Sequence, residues 1–383
     1  MTDISRYFDW AATSPSDSEI LREALELTLD AWGNPSSIHS CGKEAKTLFD
    51  SARKSCAKTL GVNESDIYFT SGGTESDQIP LLSVLNKPQT GTVLISSIEH
   101  PAVREQALAL KKCGWNVIQL KADKLGIITP ETVEEALTDD THLVSIMAVN
   151  NETGIIQPVY EIADIITEKT KGKRKPRFHI DCVQAAGKIP LDISHKGIDS
   201  AAFSAHKICG PRGIGILYSK DAPESFLKGG GQEKGIRSGT ENVFGAVAFS
   251  KVLEKYYLEK NDNSSLAYKH YCEMKEITED FISKLSSLNG CTVLPEGRLL
   301  QENKDKFSPY VVQAAFKNIP GQVMLRALDA DGFYISTGSA CSAKKANRPV
   351  LEAMHIDGQI RENAVRFSFG PLTKKDDVAA LFE

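Results

Sequence analysis

The chain has 383 residues, 41% of them hydrophobic and 25% charged, with a net charge of −5. That length allows two domains, and the composition supplies an ordinary soluble core. The mild negative charge argues against a general grip on nucleic acid. No run of about 18 apolar residues offers a membrane span.

The first residues, MTDISRYFDW, lack the basic-then-apolar pattern of a secretory leader. From residue 60 to 220 short β-rich runs alternate with helical patterns. The expected strands are DIYFTSG (66–72), TVLISSIEH (92–100), NVIQLKAD (116–123), HLVSIMAVNN (142–151), RFHIDC (177–182), DSAAFSAH (199–206) and IGILYS (214–219). Between them, TESDQIPLLSVLNK, PAVREQALALKKCG, TPETVEEALTD and VYEIADIITEKTKG place apolar residues at helical spacing. Such alternation predicts an α/β fold, a mostly parallel sheet covered by helices. The basic run KGKRKPR (171–177) reads as a solvated connection.

After the last of these strands comes a Gly-rich segment, KGGGQEKGIRSGTEN (228–242), then a polar stretch read as one long helix. A domain boundary near residue 255 is expected inside it, giving a large domain over 15–255. A small α+β domain over 256–383 would follow, with 1–14 packing on it. Its strands are expected near CTVLP, YVVQAAF, FYIS and AVRFSFG.

The eight cysteines form no CxxC pair, so a metal or iron–sulfur site held by this chain alone is not expected. Their scatter reads as reduced thiols in a cytosolic setting. One of them, Cys341, lies among small residues in STGSACSA (336–343). Taken alone it is a small hydrophobe as readily as a nucleophile.

Polar clusters fall at strand ends, where ligands bind in parallel sheets. In FTSGGTES (69–76) glycines precede a helix, an arrangement that suits a phosphate, although a capped Gly-rich turn reads the same way. In HIDCVQ (179–184) His179 and Asp181 share a strand face, beside Gln184. In FSAHKICGPRGIG (203–215), Ser204, His206 and Lys207 end another strand. An ordinary lysine, with a pKa of about 10.4, is a poor nucleophile unless desolvation or imine formation changes it. A phosphate cradle, an imine-forming lysine and an Asp to protonate a ring nitrogen together specify pyridoxal-phosphate chemistry.

On these blocks the chain resembles the cysteine desulfurases, fold-type I pyridoxal-phosphate enzymes of the class V aminotransferase group. YFDWAATSP (7–15), GNPSSIH (33–39), EHPAV (99–103), NNETG (150–154) and VRFSFG (365–370) extend the match over nearly the whole chain. GSAC and GGGQEKGIRSGT narrow it to desulfurases with the longer catalytic-cysteine loop.

The resemblance implies that Lys207 holds pyridoxal 5'-phosphate as an imine and moves the substrate α-proton. It implies that Asp181 pairs with the pyridine nitrogen, Gln184 bonds the phenolic oxygen and His100 stacks on the ring and assists proton transfer. Gly73, Thr74, Ser204 and His206 would hold the phosphate, joined by Thr240 of the neighbouring subunit in a homodimer. Asn34, Asn151 and Arg366 would meet the substrate, with Asn151 also at the cofactor. Cys341 would take sulfur from L-cysteine as a persulfide, releasing alanine, for iron–sulfur scaffold or tRNA-thiolation acceptors in the cytoplasm. A selenocysteine lyase, another class V aminotransferase-type enzyme and an inactive scaffold are the competing readings. Two departures from the pattern carry expectations: Trp10 would alter the pocket mouth, and Asp77-Gln78 would be helix-start variation remote from the chemistry.

Overall fold

A computed structural model describes residues 3–338 and 348–383. Cys341, Lys344 and Lys345 therefore lie outside the described residues.

Helices α1 (Ser18–Leu29) and α2 (Ser40–Leu60) precede strand β1 (Ile67–Thr70). Helix α2 stops where Gly61 turns into the left-handed region at φ 68°, which glycine adopts without strain. The chain then runs α3 (Gly73–Leu82), β2 (Thr92–Ser96), α4 (Pro101–Lys112), β3 (Asn116–Leu120), α5 (Pro130–Ala136), β4 (Thr141–Met147) and α6 (Val159–Lys169). Strands β5 (Arg177–Asp181), β6 (Ser200–Ser204) and β7 (Gly215–Ser219) complete a seven-stranded sheet in the order β1-β7-β6-β5-β4-β2-β3. All seven strands expected from the alternation are present.

The sheet is parallel from β6 across to β3, and β7 runs antiparallel to both its neighbours. Strands β1, β2, β4, β5 and β6 therefore end along one edge. Register is fixed there, with Asp181 opposite Met147 on one side and Ala202 on the other. The central strands β2, β6 and β7 are buried at every position, as expected where helices cover both faces. The basic run lies mostly on the surface between α6 and β5, where Lys173 and Lys175 pair with Asp139 and Asp199.

The polar stretch read as one helix is two. Helix α7 (Val243–Tyr256) ends, and α8 (Leu266–Ser287) begins after residues 257–265, whose sequence YLEKNDNSS has no continuous apolar stripe. Strand β8 (Cys291–Leu294), β9 (Val311–Phe316), α9 (Gly321–Ala330), α10 (Pro349–Ala353), α11 (Gly358–Asn363), β10 (Ala364–Ser368) and α12 (Lys375–Ala379) follow. The three strands form an antiparallel sheet ordered β10-β9-β8. FYIS is not a full strand. Tyr334 and Ser336 make single bridges, to Tyr7 and Arg366, so its pairing is divided between two partners.

A separate apolar cluster covers this second sheet. Phe281 of α8 meets Phe367 and Phe369 edge-on at 5.1 and 5.3 Å, and Phe8 from the N-terminal segment joins them. Trp10, expected at the pocket mouth, is instead buried. Its Nε1 donates to the Tyr7 carbonyl at 2.8 Å, and a Cβ added to Gly370 would fall 2.0 Å from its ring. Gly370→Ala is therefore expected to destabilise the fold by about 2–3 kcal/mol, read as a lower urea midpoint with an unchanged slope.

Candidate active site

The strand ends open into a cavity of about 280 Å³. Gly73, Thr74, His100, Asn151, Asp181, Gln184, Ser204, His206, Lys207 and Arg366 all line it. These residues come from separate strand ends and from β10 of the second sheet, so the cavity lies between the two sheets' packing units.

Lys207 follows β6 in a short turn. Its Nζ donates to the carbonyls of Ala11 and Ala12, both at 2.7 Å. The N-terminal segment is itself strapped to this turn, since Ser14 donates through backbone and hydroxyl to the His206 carbonyl. Burial, and after it the charge of Arg366, pulls the Lys207 ammonium down to about 8. A substantial fraction of the amine is therefore neutral near physiological pH, the form that attacks a carbonyl.

Asp181 ends β5, fully enclosed. Its Oδ1 accepts from the Val183 amide at 2.8 Å. Burial, then the nearby Asp77, pushes its carboxyl up to about 8. A buried carboxyl of this kind calls for a cationic partner in the cavity. A protonated ring nitrogen fits that demand.

His100 caps α4, and Pro101 fills the first helical position. Its Nδ1 accepts from the Ala102 amide at 3.1 Å, so the proton of the neutral ring resides on Nε2. Burial, then Lys207, draws its pKa down to about 4. The ring is thus a neutral plate with an N–H donor.

Gly73 opens α3 where a Cβ would come within 2.7 Å of the Val183 side chain. Removing that Cβ lets the first-turn amides face the cavity beside Ser204 and His206. His206 Nδ1 lies 3.1 Å from the Thr13 hydroxyl, and burial then Lys207 hold the ring neutral, down to about 4. The donors suit a phosphate. Glycine cradle, partly neutral lysine and a buried carboxyl with no cationic hydrogen-bond partner among the described residues thus fit pyridoxal phosphate as a set.

Arg366 is buried on β10. Its guanidinium donates to the Asn151 carbonyl at 2.9 Å and to Asp9 at 2.7 Å, leaving Nε without a partner among the described residues. Gln184 is tied at both ends: its amide nitrogen donates to the Ala11 carbonyl and its oxygen accepts from Lys188. Asn34 and Thr240 are exposed and line no part of this cavity. Thr240 follows the Gly-rich loop. That loop is pinned by buried Glu233, whose carboxylate accepts from Arg53 and from the Phe69 amide at 2.6 Å.

Asp77 corrects the expectation that it is remote from the chemistry. It is buried, lines the cavity and stands 3.1 Å from His179 Nε2, while His179 Nδ1 meets Ser200 at 2.8 Å. Glu99 and Glu152 also line the cavity, buried, with burial holding both carboxyls above the ordinary range. Glu99 accepts from Ser96 and the Met147 amide through one oxygen, and its other has no partner among the described residues. Both sit inside motifs already quoted, beside His100 and Asn151. Their signal was a charged residue in a strand-end cluster. No described cysteine lines the cavity; Gly338, three residues before Cys341, does.

A fold-type I arrangement of sheet and cavity is that of the class V aminotransferases. The family model described as Aminotransferase class-V matches residues 6–381, and the chain belongs to that family. Within it the chain belongs with the cysteine desulfurases. It is 38% identical to the "NifS/IcsS protein homolog" of Lactobacillus delbrueckii subsp. bulgaricus over 98% of this chain and 96% of that one. It is 36% identical to "Cysteine desulfurase IscS" of Methanosarcina thermophila, over 98% and 90%. A solved "NIFS-LIKE PROTEIN" superposes with a TM-score of 0.83 at 34% identity, covering 98% and 96% of the two chains. No described helix is long and apolar enough to cross a membrane.

Proposed function

We propose that this protein binds pyridoxal 5'-phosphate and removes sulfur from L-cysteine, leaving alanine and a persulfide on Cys341. The observation that carries the reading is the convergence of Lys207, Asp181 and His100 on one cavity, with the segment leading to Cys341 on its rim.

Bound pyridoxal phosphate supplies an electron sink for charge developing at the amino acid's Cα. Lys207 holds the cofactor and, once released, removes and returns the proton at Cα. Asp181 holds the proton on the ring nitrogen. Gln184 donates to the phenolic oxygen, and Thr74, Ser204 and His206 hold the phosphate. Nε2–H of His100 is placed to donate a hydrogen bond into the cavity, and in this tautomer that nitrogen does not accept a proton. Arg366, with Asn151, holds the substrate carboxylate. The thiolate of Cys341 attacks the substrate sulfur: an S–S bond forms, the C–S bond breaks, and the thiol proton ends on the product alanine. Overall, L-cysteine and a Cys341 thiol become L-alanine and a Cys341 persulfide.

Alanine formed from L-cysteine is the measurement. Cys341→Ser is expected to abolish it while keeping the cofactor's visible absorbance, and full turnover in that variant would overturn the persulfide route. Arg366→Lys is expected to raise KM for L-cysteine about tenfold or more with a smaller change in kcat, because an ammonium cannot reproduce the guanidinium fork. Exposure of Thr240 on the single chain agrees with a role across a homodimer. Onward transfer of the sulfur to an iron–sulfur scaffold or another cytoplasmic acceptor completes the proposal.

A further inference from the structure

Lys188 is buried and takes no part in the proposed reaction. Lysine is rarely buried to this degree without a partner or a task. The one hydrogen bond its Nζ makes among the described residues is to Gln184 Oε1, at 2.5 Å, four residues back in the turn after β5. Its charged neighbours are Lys207 and Arg366, and the Cys209 thiol also faces it.

Burial, then the charge of Lys207, pulls the Lys188 ammonium down to about 7, and both of its forms carry N–H donors, so Nζ favours the oxygen end of an amide over the nitrogen end. Gln184 is accordingly fixed with Oε1 toward Lys188 and Nε2 toward the cavity wall. One hydrogen of Nε2 goes to the Ala11 carbonyl at 2.9 Å, and the second remains for an acceptor in the cavity. Turned the other way, the amide would set its oxygen against any anionic oxygen bound there. Without Lys188 only the Ala11 carbonyl, at the other end of the amide, still distinguishes the two orientations.

We propose that Lys188 is a positioning residue: it locks the Gln184 amide so that a donor, and not an acceptor, meets the phenolic oxygen of the cofactor. The inference rests on the cofactor reading above. A donor at that oxygen stabilises its negative charge. Losing the donor leaves more charge beside the nitrogen linked to Lys207, so that nitrogen keeps its proton to higher pH.

The test is the pH titration of the visible absorbance of purified holoenzyme. Lys188→Met is expected to raise the midpoint by roughly 0.5–1 pH unit. Gln184→Ala should raise it at least as far, and the double variant should match Gln184→Ala alone. An unmoved midpoint in Lys188→Met beside a shifted Gln184→Ala overturns the inference and leaves the cofactor reading intact. So does a Lys188→Met shift that persists undiminished in the Gln184→Ala background. If Lys188→Met does not fold, Lys188→Arg keeps a group with donors only: a wild-type midpoint supports the inference, and one displaced as far as Gln184→Ala overturns it. Wild-type protein with no visible cofactor absorbance overturns both readings together.

Discussion

Replacing Lys207 with alanine is expected to lower alanine formation from L-cysteine by at least about a thousandfold. The side chain does two things that no neighbour can take over. It is the buried amine nearest neutrality among the groups facing the cavity, brought to about 8 by burial and Arg366, and it supplies the base at the substrate's Cα. Lys188, also pulled down by burial, is committed to Gln184 and does not line the cavity. The Arg366 guanidinium carries donors only and cannot serve as a base. The phosphate donors remain in Lys207→Ala, so the cofactor should still bind, but without the absorbance of the covalent linkage. Turnover and that absorbance should fall together. Wild-type turnover in Lys207→Ala would remove pyridoxal chemistry from the reading altogether.

The strands, the layered α/β fold and the polar strand ends were legible in the sequence because each is a local pattern. TVLIS and SAAFS are short apolar runs bounded by polar residues, and every quoted strand-end cluster does fall on the edge that borders the cavity. What could not be read depends on where distant segments meet. Arg366 and Asp9 are 357 positions apart, and no periodicity announces that a carboxylate already occupies part of the guanidinium. Asp77 reads as a helix-start variation in sequence because its role depends on the phase of α3, which turns it inward onto His179. Trp10 sits in a motif that borders the pocket, yet the ring fills the space left by Gly370. The break between α7 and α8 is hidden in the sequence because a polar stretch without Gly or Pro looks continuous. Cys341 lies outside the described residues, so its place in the site rests on STGSACSA and on its nearness in sequence to Gly338.

Asp181→Asn should separate function from stability. Three buried carboxyls, Asp77, Glu99 and Asp181, line the cavity, and His179, 3.1 Å from Asp77, is disfavoured by burial from taking a proton, down to about 4. Three charges cannot be sustained there without compensation: burial pushes the Asp77 and Glu99 carboxyls well above the ordinary range, and Asp181 is the carboxyl placed to ionise against a cationic ring nitrogen. An asparagine cannot hold that proton by charge, and activity is expected to fall at least about a hundredfold. Stability should move the other way in cofactor-free protein. The folded carboxyl binds its proton up to about 8, the unfolded one only to 3.8, so between these values the folded state holds more protons. Its stability therefore declines as pH rises through that window, and the amide removes the decline. At pH near 8 cofactor-free Asp181→Asn is expected to melt about 2–5 °C above wild type, with the gap closing toward pH 4. A variant that melts lower at both ends of that range would show that Asp181 stabilises the empty site, and the carboxylate would then need a protein partner the cavity does not display.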